Sequence, residues 1–418
     1  MTGTPRSHES AAVPALASPL RLPRGITVAN RLVKAAMEEQ LADTGGHPGG
    51  RFVTLYRTWD RGGAGMILTG HVMVDRFAVA QPGDVILDGS SDLTPFRAWA
   101  QAALNSSLWM QINHPGRVVQ RDTGSRALAP SAVPVRVGSL SKLFATPVPM
   151  TEDDIHETIE RFATTAALAE ESGFAGVEIH AAHGYLLAQF LSPLVNRRDD
   201  QWGGSLRDRA RLLLEVVAAV RARVSAGFGI AVKLNSADFQ RGGFDLHDAR
   251  QVIDWLSDGV DFVELSGGSV ESLATAGHPA DGRTLEREAY FLKLAGELVE
   301  HASVPLMLTG GIRRARVAQD VLTRGFSLVG VATALAQQPD APQRWLAGQD
   351  AEVEPPCTLV RSKSLRAAAV QASVTARMHE LSRDRPNRSV PPLAALVLDQ
   401  CKRSRAIRRH RRAGPPSP

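Results

Sequence analysis

Eight short apolar runs, separated by longer stretches with helical periodicity, constrain the fold of this 418-residue chain more than any other feature. Such alternation is typical of repeated βα units, whose parallel strands are covered on both sides. The predicted strands are Arg31–Ala36, Gly65–Gly70, Leu108–Asn113, Ala175–His180, Gly229–Asn235, Phe262–Ser266, Val304–Thr309 and Ser327–Val331. Eight units fit a closed (β/α)8 TIM barrel, which is the α/β fold that we predict as a single domain.

Two of the intervening helices carry clear start signals. The patterns Thr151–Glu171 and Ser205–Arg223 each begin at a hydroxyl residue that is followed three positions later by an aspartate. This spacing predicts capping of the helix N-terminus. The stretch Pro115–Met150 contains four prolines after its first residue and is long for a loop. It therefore predicts a lid or hairpin over the barrel mouth rather than a helix.

The charge distribution divides the chain further. The pI is about 9.5, but residues 402–418 hold seven Lys and Arg and no acid, which leaves 41 basic and 43 acidic side chains elsewhere. We predict an N-terminal extension at 1–19, the barrel at 20–350, helices packed on it at 351–401, and a disordered basic tail at 402–418 that is dispensable for turnover. Because the body is slightly acidic, a nucleic-acid partner is not expected.

Membrane and disulfide signals are missing from the sequence. It contains no run of 18 apolar residues and no signal peptide, and its two cysteines, Cys357 and Cys401, give no disulfide framework. We therefore expect a cytoplasmic protein without a membrane partner. Its partner is expected to be a small molecule, with homo-oligomerisation left possible.

Barrel enzymes carry their chemistry where strands end, and the fourth predicted strand ends in a cluster of polar side chains. His180 and His183 are followed by Tyr185. Two imidazoles and a phenol can polarise a carbonyl group and deliver a proton. A metal-binding histidine pair and a set of packed polar residues are the alternatives, although no third metal ligand is evident.

Two further strand ends suggest an anionic ligand. Lys233 lies in the apolar run GIAVKLNS, so it needs an anionic partner if it points inward, or else it extends to solvent at the strand end. Gly310 and Gly311 follow Thr309 and precede a helical pattern. Backbone N–H groups in such a turn can bind phosphate, although a plain tight turn is the alternative.

Several motifs occur in an order that resembles one known family. NRLVKAAM, MQINHPGR, HAAHGYLLAQFLSP, NRRDD, GGS and LTGGI, spread from residue 20 to about 339, resemble the old yellow enzyme family of FMN-dependent ene-reductases. The resemblance implies one non-covalent FMN, with NADH or NADPH as electron donor. It implies hydride transfer to the C=C bond of an α,β-unsaturated carbonyl compound.

The resemblance also implies roles for individual residues. His180 and His183 would hydrogen-bond the carbonyl oxygen, and Tyr185 would donate the proton. Lys233 would lie beside flavin N1 and the C2 carbonyl, and Gln111 would meet the pyrimidine edge. The remaining cofactor residues implied in this way are Ala36, Met37, Glu38, Gly70, Gly310, Gly311, Ala332 and Thr333.

Two positions depart from the family pattern. Ala332 and Thr333 stand where the family usually has Gly-Arg, so the phosphate loses a guanidinium, for which Arg313 or Arg314 is a candidate replacement. Glu38 stands where Thr or Cys is usual near the flavin C4 carbonyl, where a carboxylate would disfavour the anionic reduced flavin unless it is protonated or paired. The alternative is a side chain turned away to a salt bridge. A flavin amine dehydrogenase or demethylase, and a degenerate barrel with a polyanion-binding tail, remain alternative functions.

Overall fold

The computed structural model describes residues 15–271, 292–360, 362–384 and 390–413. Its strands are β1 Leu20–Arg21, β2 Thr27–Val28, β3 Leu32–Lys34, β4 Met66–Met73, β5 Val85–Ile86, β6 Ser107–Asn113, β7 Leu128–Ala129, β8 Val148–Pro149, β9 Gly176–Ala181, β10 Gly229–Asn235, β11 Phe262–Ser266, β12 Leu306–Thr309 and β13 Leu328–Val331. The helices of the described ranges are α1 Gly50–Arg61, α2 Thr94–Ala100, α3 Glu152–Glu171, α4 Leu186–Leu191, α5 Leu206–Arg223, α6 Leu246–Leu256, α7 Leu292–Val299, α8 Ala315–Thr323, α9 Thr333–Gln337, α10 Ala341–Leu346, α11 Lys363–Leu381 and α12 Pro392–Ala413.

Eight parallel strands close into a barrel. The order is β3-β13-β12-β11-β10-β9-β6-β4, and β3 also pairs with β4, which completes the circle. The predicted (β/α)8 barrel is therefore confirmed. All eight predicted strands are present, and Gly229–Asn235 and Phe262–Ser266 have the predicted limits.

Side chains along each strand alternate between the interior of the barrel and its helical shell. Near the amino ends, the inward residues form one apolar cluster that includes Trp109, Phe262 and Met307, and residues of β1 and β2 close this end. The Trp109 indole needs space, because a Cβ at Gly229 would lie 2.2 Å from its ring. Apolar side chains therefore fill the barrel interior near the amino ends of the strands, and the polar side chains lie towards the carboxyl ends.

The two predicted helix starts are present. Thr151 caps α3 in a reciprocal arrangement with Asp154, and the Ser205 hydroxyl accepts from the backbone N–H of Asp208 at the start of α5. The segment after Pro115 contains 3-10 turns at Arg121–Thr123 and Gly138–Leu143, and β7 pairs with β8. Because this pairing is parallel, the two strands do not form the predicted hairpin, and a lid over the barrel mouth stays a prediction.

The prediction of a disordered tail from residue 402 is wrong for residues 402–413, which continue α12. This helix packs on α11. Arg403 pairs with Asp122, and Lys402 Nζ lies 3.2 Å from Nδ1 of His379. These contacts with residues distant in sequence stabilise the helix, and the local composition of the segment did not indicate them. No helix in the described part of the chain is long and apolar enough to cross a membrane.

Candidate active site

The predicted histidine and tyrosine cluster lies at the mouth of the barrel. His180 is buried at the end of β9, His183 lies in the following turn with φ +61°, and Tyr185 immediately precedes α4. The ring centroids of His180 and His183 are 5.0 Å apart, and those of His180 and Tyr185 are 4.9 Å apart. The three side chains therefore face one small volume.

A hydrogen bond fixes which ring nitrogen of His180 carries the proton. Its Nδ1 accepts from the backbone N–H of Ala182 at 3.2 Å, so Nε2 carries the proton of the neutral ring and is a donor. Burial and the charges of His183 and Lys233 hold the pKa of His180 well below its usual value. This ring is therefore a neutral hydrogen-bond donor at physiological pH.

His183 is anchored from two strands. Its Nε2 lies 2.8 Å from Oγ of Ser266 on β11, and its backbone N–H donates to Oδ1 of Asn235 at 3.1 Å. Burial and nearby Lys233 lower the pKa of this imidazole well below its usual value. The left-handed backbone is uncommon for a residue other than glycine and is often associated with functional sites.

Tyr185 retains its proton throughout the physiological range. Burial and the carboxylates of Glu38 and Asp84 raise the pKa of this phenol well above its usual value. Its ring also packs edge-on against His71, with centroids 5.4 Å apart. The cluster therefore combines neutral imidazoles with a protonated phenol.

Below the mouth, Lys233 already has an anionic partner. Its Nζ lies 2.6 Å from Oε1 of Glu264, and both side chains are buried inside the barrel. Burial alone would raise the pKa of Glu264, but the adjacent ammonium holds it below its usual value. The sequence analysis expected only a ligand to supply this charge and missed Glu264.

Gln111 also faces a buried acid that the sequence analysis missed. Its Nε2 donates to Oε2 of Glu178 at 2.6 Å. Burial and Glu264 raise the pKa of Glu178 well above its usual value, so Glu178 keeps its proton. An acidic residue at an inward position of an apolar strand is the signal that could have identified both carboxyl groups.

The segment after β3 crosses closely over the end of β4. Ala36 and Met37 are partly buried there, and a Cβ at Gly70 would lie 2.0 Å from the Glu39 carboxylate. The Gly70 N–H donates to Oε1 of Glu39 at 2.9 Å. The structure therefore brings together the first two predicted cofactor segments.

Glu38 contacts protein groups on the same rim. Its Oε1 accepts a hydrogen bond from Gln81, and it lies 3.9 Å from Nε2 of His71. Burial and Asp84 raise the pKa of Glu38 to about 8. Glu38 therefore has protein partners on this rim, and its contact with the flavin stays a prediction.

The predicted phosphate turn has the backbone that such a site requires. Gly310 and Gly311 have φ values of 137° and 70°, which disfavour other residues, and α8 begins shortly afterwards. At the neighbouring turn, Ala332 precedes α9, which begins at Thr333. Adjacent parallel strands β12 and β13 therefore bring both turns to one side of the mouth.

Both arginines proposed as replacements for the missing guanidinium already contact an acidic side chain. Arg313 lies 3.1 Å from Glu352, and Arg314 contacts the same carboxylate. A phosphate group would have to share these arginines with Glu352.

A cavity of about 650 Å³ lies beside the mouth. Glu38 forms part of its wall, together with the turn at residues 120–122 and residues of α11 and α12. Arg403 of α12 lines it as well. The segment that the sequence analysis assigned to a disordered tail therefore forms part of this wall.

The barrel, its inward cation and amide, and the glycine turns are the features expected of a flavin-binding oxidoreductase. Thr309 Oγ1, at the start of the glycine turn, is buried without a hydrogen-bond partner. A buried ammonium and amide are donors that fit the flavin ring, and backbone N–H groups of the glycine turn would fit the phosphate of FMN.

Comparison with known proteins agrees with this class. The family described as NADH:flavin oxidoreductase / NADH oxidase matches residues 15–352. The chain is 40% identical over 353 residues to the NADH-dependent flavin oxidoreductase iliE of Neonectria sp. (strain DH2), which covers 78% of this chain and 46% of iliE. It is 37% identical over 353 residues to the corresponding iccE protein of Talaromyces variabilis, which covers 78% of this chain and 85% of iccE.

The chain therefore belongs to the NADH:flavin oxidoreductase / NADH oxidase family, an enzyme family that uses FMN and NAD(P)H. Its fold is also similar to an old yellow enzyme homologue from Zymomonas mobilis, with a TM-score of 0.70 at 23% identity, covering 85% of this chain and 99% of that one. Morphinone reductase gives a TM-score of 0.66 at 24% identity, with 83% and 92% covered. The predicted family is confirmed.

Proposed function

We propose that this oxidoreductase reduces the C=C bond of α,β-unsaturated carbonyl compounds. The observation that carries the proposal is the group of His180, His183 and Tyr185, which places two neutral imidazoles beside a protonated phenol at the barrel mouth. A carbonyl oxygen needs hydrogen-bond donors, and the α-carbon needs a proton. The cluster supplies both.

When bound, FMN supplies hydride chemistry between the nicotinamide and the alkene. We assign Lys233, Gln111, Gly70 and the 36–38 segment to the flavin ring. Gly310, Gly311, Ala332 and Thr333 are assigned to the phosphate, with binding that involves no covalent bond. Lys233 remains cationic beside Glu264, which raises the pKa of the lysine against the effect of burial.

The protein groups act on the substrate in a defined way. Nε2–H of His180 donates to the carbonyl oxygen. The imidazole of His183, which Ser266 positions through a hydrogen bond, contacts the same oxygen. These contacts withdraw electron density from the alkene and make its β-carbon electrophilic. Tyr185 O–H then delivers a proton to the α-carbon.

A steady-state screen distinguishes this reaction from amine oxidation on the same barrel. Purified enzyme is supplied with NADH or NADPH and with cyclohexenone or maleimide, while secondary and tertiary amines are tested with an artificial electron acceptor. We expect nicotinamide oxidation that depends on the alkene and yields the saturated product. Turnover of amines alone would reject the proposal, and a purified protein that takes up no FMN would favour a degenerate barrel.

The expected cytoplasmic location and oligomerisation stay predictions.

The cavity wall gives a prediction that revises the dispensable tail. Arg403→Ala removes the side chain that pairs with Asp122 and lines the cavity beside Glu38. We expect KM for cyclohexenone to rise roughly tenfold, equivalent to about 1.4 kcal/mol of lost binding, with FMN content unchanged. Steady-state kinetics and the flavin absorbance per chain provide the measurement.

Arg408→Ala is the matched control, because it removes an exposed arginine of the same helix. Its KM should stay within twofold of the original protein. Equal effects of the two substitutions would show that Arg403 contributes only to the general charge of α12.

A further inference from the structure

Three metal-ligating side chains meet at the barrel rim, where only Glu38 belongs to a segment assigned above to the flavin ring. They are Glu38 after β3, His71 in β4 and Asp84 before β5, and one ligand atom from each lies within 4.8 Å of the others. The parallel register of Val72 with Val85 brings His71 and Asp84 side by side. An irregularity in the pairing of β4 with β6, between Leu68 and His71, re-aims the strand at this point.

Two atoms of this cluster are buried without a hydrogen-bond partner, namely Nε2 of His71 and Oδ1 of Asp84. Their residues are only 7% and 4% exposed. Nε2 of His71 lies 3.7 Å from Oδ1 of Asp84 and 3.9 Å from Oε1 of Glu38. These separations are too long for hydrogen bonds, and orphaned buried groups of this kind are rare.

The same separations suit ligands of one ion. Nitrogen and oxygen ligands at about 2.0–2.2 Å around a tetrahedral ion lie roughly 3.3–3.6 Å from one another. Contraction by a few tenths of an ångström brings both distances from His71 into this range, and the two carboxylate oxygens start within 4.8 Å of each other. We propose that Glu38, His71 and Asp84 bind a divalent transition-metal ion, with Zn²⁺ as the representative, through one imidazole nitrogen and two carboxylate oxygens.

The surrounding groups suit this role. The Gln81 backbone N–H donates to Oδ2 of Asp84 at 3.0 Å and leaves Oδ1 unpaired. The Asn113 amide lies 3.3 Å from Nδ1 of His71, and its own Oδ1 is buried without a partner. A half-turn of this amide lets Oδ1 accept from Nδ1–H of His71, which leaves Nε2 free to ligate.

An ion can reach this position and find compensating charge there. Glu38 lines the 650 Å³ cavity, and Asp84 lines an adjoining cavity of about 500 Å³. Two carboxylates neutralise a divalent cation, and three protein ligands leave a coordination position for water or a substrate oxygen. The imidazole favours Zn²⁺ over Mg²⁺. This inference goes beyond the proposed function and does not rest on it.

Equilibrium dialysis of chelator-treated, tag-free, FMN-containing protein against ZnCl₂ tests the proposal, with bound metal measured by atomic emission. We expect one saturable equivalent that a tenfold excess of Mg²⁺ does not displace. Glu38→Gln and His71→Gln should each weaken the affinity at least about 100-fold, since loss of an outer-shell partner alone costs 10- to 100-fold. Near-UV circular dichroism checks folding, and Glu38→Gln, at a partly exposed position, suffices if His71→Gln fails to fold.

His47→Gln is the matched control. It removes another histidine that lies near a carboxylate, since His47 Nδ1 is 3.4 Å from Asp43 at the surface, and the equivalent should be retained. Absence of saturable binding below millimolar Zn²⁺ would overturn the proposal and leave the cluster as groups that share protons. Binding that survives Glu38→Gln, or that His47→Gln or His183→Gln abolishes instead, would overturn it as well.

Discussion

Replacing Tyr185 with Phe is expected to slow reoxidation of the flavin by cyclohexenone about 10²- to 10⁴-fold, the contribution typical of a positioned general acid. Reduction by the nicotinamide should stay near the original rate, because that half-reaction needs no proton from the phenol. The chain has two other tyrosines. One of them, Tyr56, is buried and donates its hydroxyl hydrogen bond to Glu39. Anaerobic stopped-flow absorbance of the flavin follows the two half-reactions separately.

The reductive half-reaction of the same variant is its control. A similar slowing of both half-reactions would indicate displaced FMN, and no slowing of either would remove Tyr185 from the reaction. In the second case the proton donor would have to be another group at the mouth.

Replacing Glu264 with Gln is expected to lower the free energy of unfolding by about 3 kcal/mol, at the low end of the 3–5 kcal/mol typical for breaking a buried ion pair. The amide keeps the shape of the side chain but leaves Lys233 buried without its charged partner at 2.6 Å. The low end applies because the charge of Glu264 is one cause of the raised pKa of Glu178, so its removal lets Glu178 ionise and pair with Lys233. Urea unfolding, followed by circular dichroism in matched excess FMN, measures the change.

Glu160→Gln is the control for this change. Its carboxylate lies 2.7 Å from Arg223 on the surface, with both side chains about half exposed, and such pairs contribute at most about 1 kcal/mol. A loss for Glu264→Gln no larger than for Glu160→Gln would show that Lys233 readily gives up its proton or finds another partner.

The barrel was predictable because most of its strands are largely apolar runs between longer stretches with helical periodicity. The agreement is closest in Gly229–Asn235 and Phe262–Ser266, whose limits are those predicted. The first strand is shorter than predicted, since β3 ends at Lys34 rather than Ala36. The basic composition of residues 402–413 predicted disorder. Their helix is instead stabilised by contacts with α11 and Asp122, which are distant in sequence.

The site was predictable where several motif residues lie close together in the chain. His180, His183 and Tyr185 belong to one short segment, and the structure places their rings together. Glu264 and Glu178 were missed because their role depends on pairing between strands that are far apart in sequence. His71 directly follows a predicted strand, but Asp84 joins it only through the short strand β5, which the sequence pattern did not reveal.

A single-turnover experiment tests the proposed ene-reduction most directly. The enzyme's flavin is reduced photochemically without nicotinamide, mixed anaerobically with one equivalent of cyclohexenone, and the product is quantified by gas chromatography. We expect about one cyclohexanone per FMN, formed as the oxidised flavin absorbance returns. Flavin that stays bleached with cyclohexenone and recovers its absorbance only when oxygen is admitted would contradict the proposal.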